Sequence, residues 1–305
     1  MTIKRAYDIE RFINKLHIHS LDMIVWYGLR EYLNRKLPGY YKKQKAIKQK
    51  AAALFTQDEV IVSLTTYPKR MRTLPLVLES IFHQSVAPTR VILWLADNQY
   101  TDKSRVTNDL KNFINRGLEI RFCEDLRAHK KYYYTMKEYP KALVITVDDD
   151  ILYPEDMIEK LLATYRDHPD CIVTCRAHEM RFKDGKPVPY SQWNMLAKNC
   201  KGPSLSLCAT GGAGCLYPPG CLSEHVFDKD VFSEICFYAD DLWMKCMSFL
   251  NKTKVVLTEM NNPEIITVKI KDDDGGLAIQ NVVNRRNDEQ LKAVSERYGI
   301  VWERV

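Results

Sequence analysis

The sequence predicts an α/β fold with a mostly parallel sheet flanked by helices. From residue 59 onward, near-continuous runs of Val, Ile and Leu alternate with segments whose apolar residues recur at helical spacing. Strands that are apolar along their whole length are typical of parallel sheets covered on both faces. The chain has 305 residues, of which 46% are apolar and 28% charged, so it can bury the core that such a fold requires.

Residues 1–55 are predicted to form a basic amphipathic helical arm, called the arm below. Residues 7–37 carry apolar side chains near helical spacing, and Pro38 with Gly39 is expected to end the helices. Residues 1–50 contain twelve Lys and Arg against four Asp and Glu, so this segment accounts for the net charge of +6. Such an arm suits an anionic membrane surface and, equally, a helical hairpin packed on its own domain or on a partner.

Several classes of protein are excluded by the rest of the chain. Positive and negative charges nearly balance there, without zinc-finger spacing or the aromatic signature of an RNA-binding domain, so no nucleic acid partner is expected. The nine cysteines contain no C-x-x-C pair, as in a reducing cytoplasm. The N-terminus has charges where a signal peptide is apolar, and no run reaches the roughly 20 apolar residues of a spanning helix. The expected location is the cytoplasm, with the inner membrane face as a peripheral site.

The elements alternate along the main domain. Strands are predicted at 59–68, 89–97, 118–125, 141–150 and 171–177, and helices at 73–84, 102–116 and 154–169. The later part is expected to be less regular, with a hairpin or loop, a stretch of small and turn residues, a helix opened by acids and two short strands. These lie at 181–194, 202–220, 237–250, 254–260 and 264–270.

Three adjacent carboxylates, Asp148, Asp149 and Asp150, directly follow an apolar strand. In open α/β sheets, ligands bind outside the carboxyl ends of the strands. Neighbouring carboxylates repel one another unless a cation is present, and hard oxygen ligands at this spacing suit Mg²⁺ or Mn²⁺ shared with a phosphate-bearing substrate. The alternative is an acidic turn that caps the next helix, for which one Asp suffices. Three in succession favour the metal.

Three motifs together resemble the GT-A glycosyltransferases of the family 2 type, the nucleotide-sugar-dependent enzymes of bacterial surface-polysaccharide synthesis. Residues 60–98 read like that family's opening strand, turn, helix and second strand. ITVDDDILYP is similar to its D-x-D region, and YADDLWMKC resembles the paired acids that begin its catalytic helix. The resemblance covers roughly residues 59–250. It implies a GT-A catalytic domain at 56–305 with a C-terminal acceptor or lid region.

The resemblance also implies roles for individual residues. Asp148 would contact the ribose of the nucleotide, and Asp150, with Asp148, would hold the Mn²⁺ or Mg²⁺ that bridges the diphosphate. Thr65 and Tyr67 would line the base pocket. Three further residues complete the predicted donor site: Asp97, which stands where the family has an Asp pair, Lys130 near the phosphates, and Asp149.

A second acidic pair, Asp240 and Asp241, is predicted to act in a separate step. Glycosyl transfer with inversion needs a carboxylate that takes the proton from the attacking hydroxyl. Asp241 aligns better with the family's base, and Asp240 is the alternative. The competing interpretation is an acidic helix N-terminus favoured by the helix dipole.

Other features have a functional and a structural interpretation each. The glycines Gly211, Gly212 and Gly214 allow close backbone approach, either as a floor beneath donor and acceptor or as a tight turn. Three aromatic residues are candidates for stacking on a sugar, although core packing is the commoner role of a tryptophan: Tyr190, Trp193 and Trp243. Four cations near the C-terminus either close over the diphosphate as part of a lid or are solvated surface charges: Lys269, Lys271, Arg285 and Arg286. The second acidic triple, Asp272–Asp274, is expected to be a loop without metal.

The expected function is a metal-dependent transfer of a sugar from a nucleotide-sugar, with a UDP-sugar as the expected donor, to a glycan or lipid-linked acceptor. Inversion with an Asp base is favoured, and retention stays open. A sugar-phosphate nucleotidyltransferase would carry a glycine-rich loop after the first strand, where this chain has TTYPKRMRTL. A non-catalytic scaffold would not require two acidic pairs.

Overall fold

A central seven-stranded sheet organises the computed structural model, which describes residues 1–14, 19–43, 49–197, 200–259, 265–269 and 286–302. The described strands are β1 Lys50–Ala51, β2 Val60–Thr65, β3 Val86–Ala87, β4 Arg90–Ala96, β5 Leu118–Cys123, β6 Leu143–Val147, β7 Ile172–Thr174, β8 Ala177–Glu179, β9 Phe182–Lys183, β10 Lys186–Pro187, β11 Leu207–Ala209, β12 Ala213–Tyr217 and β13 Val255–Leu257. The sheet has the order β13-β7-β12-β6-β2-β4-β5. Its pairings are parallel except those of β12 with β6 and β7. The predicted fold class, a mostly parallel α/β sheet flanked by helices, is confirmed.

Helices cover both faces of this sheet. The described α-helices are α1 Ile3–Asn14, α2 His19–Lys43, α3 Leu74–Phe82, α4 Lys103–Asp109, α5 Lys111–Ile114, α6 Lys130–Glu138, α7 Met157–Asp167, α8 Lys229–Ile235, α9 Asp240–Leu250 and α10 Arg286–Arg297. Alternate residues of a strand face opposite sides of a sheet. Val62 and Leu64 of β2 therefore join the core that contains α3 and α7, whereas the Ser63 hydroxyl faces α6 and lies 2.7 Å from that of Thr135.

Strand β12 and helix α6 were not predicted. The predicted turn-rich stretch 202–220 contains β11 and β12, and β12 lies between β6 and β7. Gly214 interrupts its apolar pattern: the backbone there has φ +97° and the register shifts between Ala213 and Cys215. Helix α6 is polar in sequence, but it buries lysine, tyrosine and threonine side chains against the sheet. The sequence of α6 therefore lacks the apolar residues at helical spacing from which a helix is predicted.

The helices of the arm do not end at Pro38 and Gly39 as predicted, because α2 continues through both residues to Lys43. Its side chains Leu33, Leu37 and Tyr41, spaced four residues apart, form one buried face. Packing of that face supports the helix beyond the proline, since tertiary contacts contribute more to helix stability in proteins than local propensity does.

The arm packs on its own chain. The backbone N–H groups of Ile3 and Lys4 donate to the Glu155 carboxylate at 3.1 and 2.7 Å. The Tyr7 hydroxyl donates to the Leu152 carbonyl at 3.1 Å and accepts from the Ile266 N–H at 3.0 Å. None of the helices in the described part of the chain combines the length and apolarity needed to cross a membrane.

Of the predicted strand at 264–270, the structure describes residues 265–269. They lie next to the residues that follow β6. The Val268 N–H donates to the Asp150 carbonyl at 2.7 Å, and Thr267 forms an antiparallel bridge with Ile151. This segment therefore lies directly beside the acidic residues that follow β6.

Candidate active site

The three carboxylates at the end of β6 differ in exposure. The side chain of Asp148 is 40% exposed and that of Asp150 is 24% exposed, whereas that of Asp149 is only 6% exposed. Because β2 and β6 are parallel neighbours, the loop that follows β2 reaches the same edge of the sheet. Asp148 and Asp150 are thus the members of the triple that a ligand can reach.

Asp149 points into the protein and holds the loop after β2. Its carboxylate accepts hydrogen bonds from the Thr66 hydroxyl and from Arg70, whose Nη1 lies 2.6 Å from Oδ1. The same Nη1 lies 3.0 Å from Oδ2 of Asp150. Burial raises the pKa of Asp149, and the opposing effects of Arg70 and Thr66 reduce that rise. The structure therefore places Asp149 beneath the loop, where it is inaccessible to a nucleotide.

A buried lysine of α6, Lys131, lies between the acids that follow β6 and the acids that begin α9. Its ammonium Nζ lies 2.7 Å from Oδ1 of Asp148 and 3.0 Å from Oδ2 of Asp240, and its side chain is 4% exposed. Burial lowers the pKa of Lys131, but the surrounding carboxylates of Asp148, Asp240 and Asp241 raise it well above its usual value. Lys131 is therefore a permanent cation between acids that are far apart in the sequence.

Asp240 and Asp241 form the first turn of α9 and have different electrostatics. Burial raises the pKa of Asp240, but Lys131 and His129 outweigh burial and keep this pKa below its usual value. Burial and the neighbouring Asp240 raise the pKa of Asp241 to about 7, although Lys131 opposes the rise. A carboxylate whose pKa lies near neutrality is suited to accept a proton and release it again.

The turn between β11 and β12 passes between the two acidic pairs. The Gly211 N–H donates to Oδ1 of Asp241 at 2.8 Å, and the Gly211 carbonyl accepts from the Thr146 hydroxyl at 2.8 Å. A Cβ on Gly212 would lie 1.8 Å from Oδ2 of Asp148, and one on Gly211 would lie 3.1 Å from Oδ1 of Asp241. A side chain at Gly212 would therefore force Asp148 to move, whereas one at Gly211 would make only a tight contact with Asp241.

The predicted nucleotide residues lie at the ends of β2 and β4. The Thr65 hydroxyl donates to the Trp94 carbonyl at 2.9 Å, and the ring of Tyr67 lies 5.3 Å below the Arg70 guanidinium. Asp97 follows β4, is exposed, and pairs with Lys103 at 2.5 Å. Thr65, Tyr67 and Asp97 thus share one edge of the sheet with Asp148.

Lys130 lies apart from the acidic cluster. Its Nζ pairs with Asp125 at 2.5 Å and its side chain is 3% exposed. The next residue, Lys131, contacts the acids instead. Thr135 faces the sheet from the same helix, so a helix at 130–138 places residues 131 and 135 inward at a spacing of four. Both residues are polar, so no apolar periodicity in the sequence marks this face and no local signal identified Lys131.

The aromatic residues considered for sugar stacking pack mainly within the protein. The indole of Trp243 is buried and donates to the Val226 carbonyl at 3.2 Å, so it is a core residue. Trp193 is also buried, and its indole donates to the Val188 carbonyl at 3.0 Å. Tyr190 is partly buried and its ring lies 4.8 Å from that of Trp193.

The predicted lid cations are only partly described. Lys269 pairs with Glu31 of α2 at 2.9 Å, and the guanidinium of Arg286 lies 5.1 Å from the centre of the Tyr238 ring. The other members of that prediction, Lys271 and Arg285, and the acidic triple Asp272–Asp274 lie outside the described residues.

A metal ion at this site would need ligands beyond those that the described residues supply. In the described part of the chain, no group of three or more His, Cys, Asp or Glu side chains is placed to hold one. Asp148 and Asp150 are partly exposed, and each is paired with a cation of the chain. Mg²⁺ commonly binds through one or two carboxylates together with substrate phosphates. These two carboxylates fit an ion that arrives with phosphate oxygens.

Comparisons with known proteins give likenesses of fold. No family model matches the sequence, and no curated protein matches it. Among solved structures, the chain is similar to S. aureus TarS 1-349, with 16% identity, a TM-score of 0.42, and coverage of 65% of this chain and 57% of that chain. The form in complex with UDP-GlcNAc has 16% identity, a TM-score of 0.41, and coverage of 65% of this chain and 55% of that one.

A further similar structure is the mannosyltransferase PcManGT from Pyrobaculum calidifontis in complex with GDP-Man and Mn²⁺. It has 11% identity, a TM-score of 0.49, and coverage of 91% of this chain and 74% of that chain. The present chain spans somewhat more than half of the TarS chain that it matches. At these identities, the likeness concerns the α/β fold alone.

Proposed function

We propose that this protein is a glycosyltransferase that moves a sugar from a nucleotide-sugar to an acceptor hydroxyl. The observation that carries the proposal is the position of Lys131 Nζ, 2.7 Å from Asp148 and 3.0 Å from Asp240. Asp148, the proposed donor-binding carboxylate, thus lies in one cluster with Asp240 and Asp241, the two candidates for the general base. The transfer of a group between two substrates requires such proximity.

The donor end consists of the residues after β2, β4 and β6. We assign Thr65, Tyr67 and Asp97 to the nucleotide base, with a UDP-sugar as the favoured donor, and Asp148 to the ribose. Asp150 and Asp148 would hold Mn²⁺ or Mg²⁺, which when bound neutralises charge on the leaving diphosphate. Arg70 and Lys131 balance the negative charge of the carboxylates.

The acceptor end consists of the first turn of α9. As the acceptor oxygen attacks the anomeric carbon, the bond from that carbon to the diphosphate oxygen breaks, and Asp241 takes the hydroxyl proton. Gly211 N–H holds Oδ1 of Asp241, so Oδ2 is the atom assigned to the proton. Asp240 remains ionised beside Lys131. Its negative charge raises the proton affinity of Asp241. Attack opposite to the leaving group gives inversion.

The acceptor is proposed to be a glycan or a lipid-linked sugar, as in surface-polysaccharide synthesis. The arm carries the excess of positive charge, and large apolar side chains on its helices are exposed: Phe12, Ile24 and Tyr27 are 64%, 69% and 52% exposed. Such a surface suits an anionic membrane face. The protein would then act as a peripheral enzyme on the cytoplasmic side.

The test is an assay of purified protein with UDP- and GDP-sugars in the presence of MnCl₂. We expect release of nucleoside diphosphate from at least one donor, and thermal stabilisation by that donor because a ligand that binds the folded state raises its apparent stability. Pyrophosphate release from a nucleoside triphosphate and a sugar phosphate would instead identify a nucleotidyltransferase. If the protein neither binds nor turns over any nucleotide-sugar, the result would support a scaffold and contradict the proposal.

A further inference from the structure

A cavity of about 880 Å³ lies between the arm and the outer face of α3. Its lining residues come from α2, α3 and α5, from the segments that flank these helices, and from Val268 and Lys269. None of the acids at 148–150 and 240–241 lines it, so it is separate from the candidate active site. Its volume is within the range of pockets that hold small organic ligands.

The hydroxyl of Tyr41 in this cavity wall has no hydrogen-bond partner among the described residues, although Tyr41 is only 7% exposed. The Tyr41 ring packs against His83, with ring centres 4.6 Å apart. Buried polar groups in native proteins are nearly always paired with protein, water or ligand. Burial raises the pKa of Tyr41, so the hydroxyl is a hydrogen-bond donor. A ligand acceptor would satisfy it.

The charges on the wall indicate the sign of that ligand. Lys42 and Arg72 are exposed and line the cavity from different elements, and no partner for either is found in the described part of the chain. Glu79 is the one acid among the described lining residues, and its Oε2 is paired with Nη1 of Arg116 at 2.7 Å. Two uncommitted cations therefore face the cavity without an opposing free carboxylate, which favours an anion.

Between these polar groups the wall is apolar. Leu76 and Phe82 of α3 and the buried Val268 line it, and the Arg116 guanidinium lies 4.9 Å from the centre of the Phe82 ring. A simple inorganic anion would leave this apolar surface in contact with water. A ligand with an apolar body would bury it.

We propose that this cavity binds an amphiphilic anion, a molecule with a phosphate-type head group and an apolar body. Lys42 and Arg72 balance the charge of the head group, the Tyr41 hydroxyl donates to one of the ligand's oxygens, and the apolar body lies on Leu76 and Phe82. The site exists because α2 continues past Pro38, which brings Tyr41 and Lys42 to α3. It does not depend on the glycosyltransferase proposal.

The test uses the full-length protein and dodecyl phosphate below its critical micelle concentration, followed by isothermal titration calorimetry. Inorganic phosphate supplies the charge without the apolar body, and dodecyl maltoside supplies the apolar body without the charge. We expect saturable 1:1 binding of dodecyl phosphate and much weaker binding of both comparison compounds. Equal binding of inorganic phosphate or of dodecyl maltoside would overturn the proposal.

Variants locate the site. Tyr41→Phe should weaken the Kd for dodecyl phosphate about two- to tenfold, since it removes one hydrogen bond. Lys42→Gln combined with Arg72→Gln should weaken it about tenfold or more. Lys36→Gln, on an exposed position of the same helix outside the cavity, is the matched control and should leave the Kd unchanged.

Thermal unfolding separates binding from folding. Tyr41→Phe should melt at or above the wild-type temperature, because it deletes a buried hydroxyl that has no partner in the described structure. An unchanged Kd in both Tyr41→Phe and the double variant would show that the anion binds elsewhere and would refute the site.

Discussion

Asp241 is the residue whose protonation is expected to control the proposed transfer. Its pKa is about 7, raised by burial and by Asp240. Because the base must be deprotonated, kcat should rise as pH increases through about 7 and level off above it. Steady-state rates between pH 5.5 and 9 measure this limb.

Asp241→Asn is the matched variant for that measurement. It should lower kcat by about 10²- to 10⁴-fold, the usual contribution of a general base, and retain donor binding. Full activity of Asp241→Asn would transfer the role of base to Asp240. The same assay on Asp240→Asn then tests the alternative directly.

Lys131 sets the charge balance of both acidic pairs. Replacing it with Met removes the cation that lowers the pKa of Asp241, so the rising limb of the pH profile should move to higher pH. The free energy of unfolding should also fall, by about 3–5 kcal/mol, because the largely buried carboxylate of Asp240 loses its partner. Lys131→Arg keeps the charge and is the control: its limb should stay near the wild-type pH. An unshifted limb in a folded Lys131→Met protein would contradict the assignment.

At the scale of elements, the β11–β12 turn sets the separation of the acids. Gly212→Ala would place a methyl group 1.8 Å from the present position of Asp148 Oδ2, so that carboxylate must move. A displacement of about 1 Å can cost about a hundredfold in kcat/KM, and we expect a loss of that size measured against the donor. Gly28→Ala in α2 is the control, since nothing lies within 4 Å of its added Cβ. Equal activity of the two variants would show that the turn has no part in the site.

Helix α2 is the element whose end the sequence misplaced. A proline inside a helix costs about 3 kcal/mol relative to alanine, and α2 tolerates Pro38 through its buried face. Pro38→Ala should therefore raise the free energy of unfolding by about 1–3 kcal/mol, measured by urea denaturation. A decrease would mean that the chain around Pro38 is not helical in solution.

At the scale of the whole molecule, the sheet was predictable where its strands are apolar throughout. Strands β2, β4 and β6 bury almost every residue, and their apolar runs are visible in the sequence. Strand β12 was not predictable because Gly214 and the register shift interrupt its pattern, and its partners β6 and β7 are remote in sequence.

The candidate site was predictable in its acids but not in its cations. Asp148, Asp150 and Asp241 stand out because each belongs to a run of acids beside an apolar segment. Arg70 and Lys131 do not, since their positions depend on the loop after β2 and on the rotation of α6 about its axis. Local sequence does not encode these features, whereas tertiary packing fixes them.

Under the proposed function, the ion pair between Arg70 and Asp150 would set the order in which metal and nucleotide bind. Free Mn²⁺ would have to displace the guanidinium from Asp150 without offering it a new anion, whereas a nucleoside diphosphate brings phosphate oxygens for both cations. Calorimetric titration should therefore show weak uptake of Mn²⁺ alone and at least about tenfold tighter uptake with UDP present. Arg70→Gln should remove most of that difference, while Arg35→Gln, a surface change on the arm, should not. Under the proposed function, occupancy of Asp150 by a metal would then be coupled to the arrival of a diphosphate.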